Sequence, residues 1–145
     1  MAALRPDRVS DLVPFVHVGD LPRSVAFYEL LGFEVADTYE AGGELQWLAL
    51  QHGHARIMLQ RATAPIDPHQ QAVLFYLYAA DLEALRDRLL AHGVAVGPIR
   101  DGSPGPEREI ALSDPDGYRL MVAEAPGRVV FAHGAAQARA ARRGA

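Results

Sequence analysis

The chain has 145 residues, no cysteine and a formal net charge of −4 at pH 7. That length buries roughly 70% of the unfolded surface in one domain without metal or disulfide support, and the missing cysteines remove disulfide, thiolate and zinc-thiolate chemistry. Its acidic balance argues against nucleic acid as the main partner, and no apolar run approaches the ~18 residues of a membrane span.

In chain order, residues 1–8 lack the apolar core of a signal peptide, so a cytoplasmic protein is expected. The pattern then predicts strand 12–18, helix 21–31, strand 33–39, strand 44–51, a turn at 52–54 and strand 55–61. Residues 62–72, rich in Ala, Pro, Asp and Gln, read as a linker. The second half predicts strand 73–79, helix 82–91, strand 94–99, loop 100–106, strand 107–113, a turn at 114–117 and strand 118–124. Residues 127–145 form an Ala/Arg-rich tail. Its Arg128, Arg139, Arg142 and Arg143 leave 10 of the 14 basic residues to the rest of the chain, against all 18 acidic ones.

The two halves repeat each other. Val13-Pro-Phe-Val-His-Val-Gly-Asp20-Leu21 is echoed by Leu74-Phe-Tyr-Leu-Tyr-Ala-Ala-Asp81-Leu82, and Leu31-Gly32-Phe33 by His92-Gly93-Val94. Asp20 to Asp81 and Gly32 to Gly93 both span an offset of 61. Asp20 and Asp81 are placed to cap helices, and Gly32 and Gly93 to close them. The expected fold is therefore α+β: two tandem β-α-β-β-β units forming a curved mixed sheet around a cavity, with the helices on the outer face. The units cover about residues 11–61 and 73–125 of a single domain over 1–126.

Strand alternation divides each sheet into two faces. Val16, Val18, Leu48, Leu50, Ile57, Leu59, Phe75, Leu77, Ile110, Leu112, Leu120 and Val122 form an aliphatic set assigned to the helix side. The opposite set mixes aromatic, thioether and charged groups: Phe15, His17, Trp47, Arg56, Met58, Tyr76, Tyr78, Glu109 and Met121 are the candidate ligand-binding residues. Apolar walls with a few convergent polar groups suit a small-molecule site, and the same residue types suit a dimer interface. Glu107 and the loop Gly102–Pro106 are placed beside this face, the loop as a rim.

Asp114-Pro-Asp-Gly117 offers two carboxylates, but Pro second and Gly fourth read as a hairpin turn rather than an acid–base pair. His52-Gly-His54 falls in the equivalent turn, and His69, His92 and His133 share no ligand spacing. No nucleophile-elbow serine and no phosphate-binding glycine loop is present.

The duplicated unit, the Val-Gly-Asp-Leu junction, Ala26-Phe27-Tyr28, Leu31-Gly32-Phe33 and the closing segment Arg108–Leu120 together resemble the vicinal-oxygen-chelate superfamily. It includes glyoxalase I, extradiol dioxygenases, and fosfomycin- and bleomycin-resistance proteins. The resemblance covers about residues 11–125. It implies inward metal ligands on the first and last strand of each unit, and the matching positions here are Val13, Met58, Leu74 and Met121. None is an imidazole or carboxylate donor.

The expectation is a metal-free binding protein similar to the bleomycin-resistance branch, with no cofactor, no catalytic residue assigned and a planar or amphipathic ligand as partner. A homodimer is expected, with no nucleic acid or membrane partner. The alternative is a metal-dependent lyase, isomerase or dioxygenase with a displaced site near His17.

Overall fold

The structure is a computed structural model, which describes residues 6–9, 11–101 and 108–125. The expected tail, Glu107 and the 102–106 rim lie outside the described residues. The chain divides into two compact units, residues 1–68 and 69–145.

The first unit contains β1 (Phe15–Val18), α1 (Leu21–Leu30), β2 (Glu34–Ala41), β3 (Glu44–His52) and β4 (Ala55–Arg61). Its sheet order is β1-β4-β3-β2, with β1 parallel to β4 and the other pairs antiparallel. The second unit contains β5 (Leu74–Ala79), α2 (Leu82–Ala91), β6 (Arg100–Asp101), β7 (Arg108–Ser113) and β8 (Arg119–Glu124). Its order, β5-β8-β7-β6, and its strand directions repeat the first. Each unit is thus a four-stranded mixed sheet carrying one helix, which is the expected tandem α+β architecture.

The helices start and stop where their local chemistry directs. The Asp20 carboxylate accepts from the Arg23 N–H and the Asp81 carboxylate from the Ala84 N–H, each at 3.0 Å. At the other end, Phe33 N–H donates to the Tyr28 carbonyl and Val94 N–H to the Leu89 carbonyl, at 3.1 and 3.0 Å. This closure needs a left-handed residue one position earlier. Gly32 and Gly93 supply it, at φ 98° and 76°. A Cβ on Gly93 would meet nothing within 4 Å, so its conformation, not lack of space, calls for glycine there. In the first unit the closure also packs Phe33 edge-on against Tyr28, with centroids 5.9 Å apart.

The core lies between sheet and helix in each unit. Val16, Val18, Leu48, Leu50, Ile57 and Leu59 are buried, together with Leu21, Phe27 and Tyr28 of α1. Ile110, Leu112, Leu120 and Val122 are buried, together with Leu82, Leu85 and Leu89 of α2. Phe75 and Leu77 of β5 are half-buried. Removing each of these large side chains from water contributes about 1.5–3 kcal/mol. On the same side as Ile110, the Arg108 guanidinium donates to Glu83 of α2 at 2.8 Å and sits 3.5 Å from Glu124. The hydrogen bond to Glu83 raises its pKa above the usual arginine value.

Three expectations change by more than a residue or two at an end. The first strand begins at Phe15, not at residue 12: Pro14 has no N–H to give the ladder, and only its carbonyl joins, accepting from Met58 N–H at 2.8 Å. The expected strand 94–99 is reduced to one bridge, Val96 to Leu112. Gly97 N–H still donates to the Ala111 carbonyl, but the next residue, Pro98, cannot donate, and pairing resumes only at Arg100–Asp101, inside the expected loop. The linker carries a short 3-10 turn, Pro68–Gln70.

Candidate functional site

Each sheet has a second face, away from its helix, and strand register lays its side chains out in rows. In the first unit Phe15 pairs with Met58 and Met58 with Ala49. In the adjoining row His17 pairs with Gln60, Gln60 with Trp47, and Trp47 with Tyr39. Phe15 is half exposed and its ring meets the His17 imidazole edge-on, 5.8 Å between centroids. Trp47 and Met58 are half-buried. Arg56 lies on the same face at the start of β4, paired with Gln51 across the ladder. Its guanidinium is committed to Asp11 at 3.3 Å.

In the second unit Tyr76 pairs with Met121 and Met121 with Ala111. In the adjoining row Tyr78 pairs with Ala123, Ala123 with Glu109, and Glu109 with Arg100. The Tyr76 and Tyr78 rings lie 5.5 Å apart at a 59° tilt. The Tyr76 hydroxyl donates to Glu109 Oε1 across the two rows. Glu109 is buried, and it lines a cleft of about 290 Å³ with Ala111, Met121, Gly97 and Pro98. Arg100 and Asp101 also line the cleft.

The nine candidates therefore fall into two groups. Phe15, His17, Trp47 and Met58 are brought together on the first sheet, with Arg56 at its end. Tyr76, Tyr78, Glu109 and Met121 are brought together on the second. Arg100, Asp101 and Tyr39 belong with them and were missed. The signal was available, because the offset of 61 that matches Asp20 with Asp81 also matches Tyr39 with Arg100.

The Asp-Pro-Asp-Gly segment is a turn, as its residue order indicated. Gly117 N–H donates to the Asp114 carbonyl, and the buried Asp114 carboxylate accepts from the Asp116 and Tyr118 N–H groups at 2.9 Å. That carboxylate is spent on holding backbone.

The family model for the Glyoxalase/Bleomycin resistance protein/Dioxygenase superfamily matches residues 8–122. The chain belongs to this superfamily. Among solved structures, a bleomycin-binding protein complexed with bleomycin aligns at TM-score 0.64 and 21% identity, over 81% of this chain and 99% of its own. TioX from Micromonospora sp. ML1 aligns at TM-score 0.66 and 20% identity, over 80% and 98%. An integron cassette protein from the mobile metagenome of V. cholerae aligns at TM-score 0.60 and 26% identity, over 81% and 96%. A search of curated proteins gives no match.

Membership sets a test for metal. At the four matching positions stand Val13, Met58, Leu74 and Met121. Aliphatic side chains offer no lone pair, and thioethers favour soft ions over the hard or borderline divalent ones. Among the described residues no three His, Cys, Asp or Glu side chains are grouped to hold an ion. The His17 ring meets Phe15 edge-on and lies across the ladder from Gln60. These side chains do not fit a resident divalent metal.

Proposed function

We propose that the protein binds a planar or amphipathic small molecule without a metal, in the manner of a bleomycin-resistance protein. The observation that carries this reading is the character of the two open faces. Each sets an aromatic side chain beside a methionine on adjacent strands, Phe15 with Met58 and Tyr76 with Met121. Such surfaces stack against flat ligands and adapt to their outline. The structural likeness to a protein solved with bleomycin supports it.

The residues proposed to contact the ligand are Phe15, His17, Trp47, Arg56, Met58, Tyr76, Tyr78, Glu109 and Met121. Trp47 is the only tryptophan, so its fluorescence reports on the first face directly. Titration with bleomycin and with flat polycyclic compounds is expected to shift or quench that signal. No change across the panel, with no rise in melting temperature, would remove the proposal. Metal analysis of protein purified without chelator is the companion test. A stoichiometric divalent ion whose removal abolishes an activity would favour a metalloenzyme instead.

We further propose a cytoplasmic homodimer. In the second unit Leu74, Tyr76 and Tyr78, alternate residues on one face of β5, are 42–52% exposed, and exposed apolar surface commonly marks an interface or ligand groove. Light scattering on the eluting protein reads the mass, and a species of about 15.7 kDa would refute the dimer. No described helix is long and apolar enough to cross a membrane.

A further inference from the structure

The charged group at the cleft of the second unit is unusual for its depth. Glu109 is 9% exposed. The Tyr76 hydroxyl satisfies Oε1, yet among the described residues no basic side chain comes within 4 Å of the carboxylate. Arg100 stands directly across the ladder from it, but its side chain is exposed and makes no ion pair with it. Burying an unpaired carboxylate costs free energy that a cation placed beside it offsets. The cleft walls add what a flat organic cation needs. Ala111, Met121 and Pro98 offer apolar contact, and the tilted Tyr76–Tyr78 pair on the same face presents electron-rich rings. Arg100, Asp101 and Glu109 together give the lining one positive charge against two negative ones.

We propose that the cleft of the second unit selects an organic cation, an amidinium or protonated amine carried on a planar apolar body, with Glu109 Oε2 as the counter-charge and acceptor. This rests on the small-molecule reading above and adds the sign of the ligand's charge and the residue that reads it. Tyr76 positions the carboxylate by donating to Oε1, which leaves Oε2 as the acceptor for the ligand.

Benzamidine, benzamide and benzoate share size and flatness and differ in charge, so they isolate this term. Titrated into the full chain and followed by methyl NMR at Met121 and Ala111, benzamidine is expected to bind about tenfold more tightly than benzamide, the margin of a charge-assisted over a neutral hydrogen bond. Benzoate is expected not to bind. Glu109→Gln, which keeps the shape, is expected to bring benzamidine down to the benzamide value. Arg100→Gln, at an exposed position, is expected to tighten benzamidine about threefold by removing a like charge nearby.

Equal affinity for benzamidine and benzamide would overturn the cation assignment while leaving small-molecule binding in place. A preference that survives in folded Glu109→Gln would overturn Glu109 as its source. If Glu109→Gln does not fold, Arg100→Gln decides: unchanged or weaker benzamidine binding overturns the proposal. Failure of all three compounds to shift Met121 and Ala111 also overturns it, and the Trp47 titration then tests the broader reading separately.

Discussion

The two units present almost the same row and then a different one. Phe15–Met58–Ala49 in the first becomes Tyr76–Met121–Ala111 in the second, an aromatic, a methionine and an alanine in the same ladder order. One strand-step away, His17–Gln60–Trp47–Tyr39 becomes Tyr78–Ala123–Glu109–Arg100. The repeated row gives both faces a common apolar character. In the divergent row a half-buried tryptophan on one sheet is replaced by a buried carboxylate on the other. The units therefore share a scaffold and differ in the chemistry their open faces display.

That comparison can be broken first at the scaffold. Leu59 and Leu120 are helix-side leucines on the closing strand of each unit, with 0% and 1% exposure. Leu59→Ala and Leu120→Ala are each expected to cost about 3 kcal/mol in urea unfolding, the mid-range for emptying a packed leucine site. A loss under about 1 kcal/mol at either would show that the two cores are not equivalent. The next largest effect belongs to the closing turns. Asp114→Ala strips two backbone N–H groups of their acceptor and is expected to cost about 2 kcal/mol, with ligand titrations unchanged. A stability-neutral Asp114→Ala that abolished binding would return this carboxylate to the functional candidates.

The divergent row gives a smaller, binding-specific effect. Trp47→Ala is expected to weaken a flat, uncharged ligand about tenfold, which is 1.4 kcal/mol, without changing any benzamidine-over-benzamide preference. Loss of that preference would mean the two rows do not act separately. Smallest are the caps. Asp20→Ala and Asp81→Ala are each expected to lower stability by about 1 kcal/mol, read as matched falls in melting temperature, and the second helix would lose no more than the first.

The fold was legible because its signals are local. Asp20 and Asp81 before apolar runs, Gly32 and Gly93 after them, and the period-two strands fix the elements and their faces from neighbours a few residues away. The site was legible only in part. Alternation placed Phe15 and Trp47 on the face away from the helix in the first sheet, and Tyr76 and Glu109 on that face of the second, but it cannot say which strand lies beside which. The Tyr76–Glu109 hydrogen bond spans 33 residues and depends on the order β5-β8-β7. Arg100 escaped notice because Val94-Ala-Val-Gly-Pro-Ile reads as a continuous strand, whereas Pro98 interrupts the ladder and moves the pairing onward.

The parallel pairing of β1 with β4 also has a bearing on time. Phe15 meets Met58 only after the intervening helix and two strands have been made, and Tyr76 meets Met121 across a similar stretch. Contacts so distant in sequence are entropically slow to close. During synthesis, neither aromatic–methionine row exists until the last strand of its unit has left the ribosome. Truncation after Arg61 would release a chain with the first row's residues complete, while truncation after Ser113 would lack Met121 altogether. In refolding, recovery of the Trp47 signal is accordingly expected to trail the formation of helix, as stopped-flow fluorescence and far-ultraviolet circular dichroism would register.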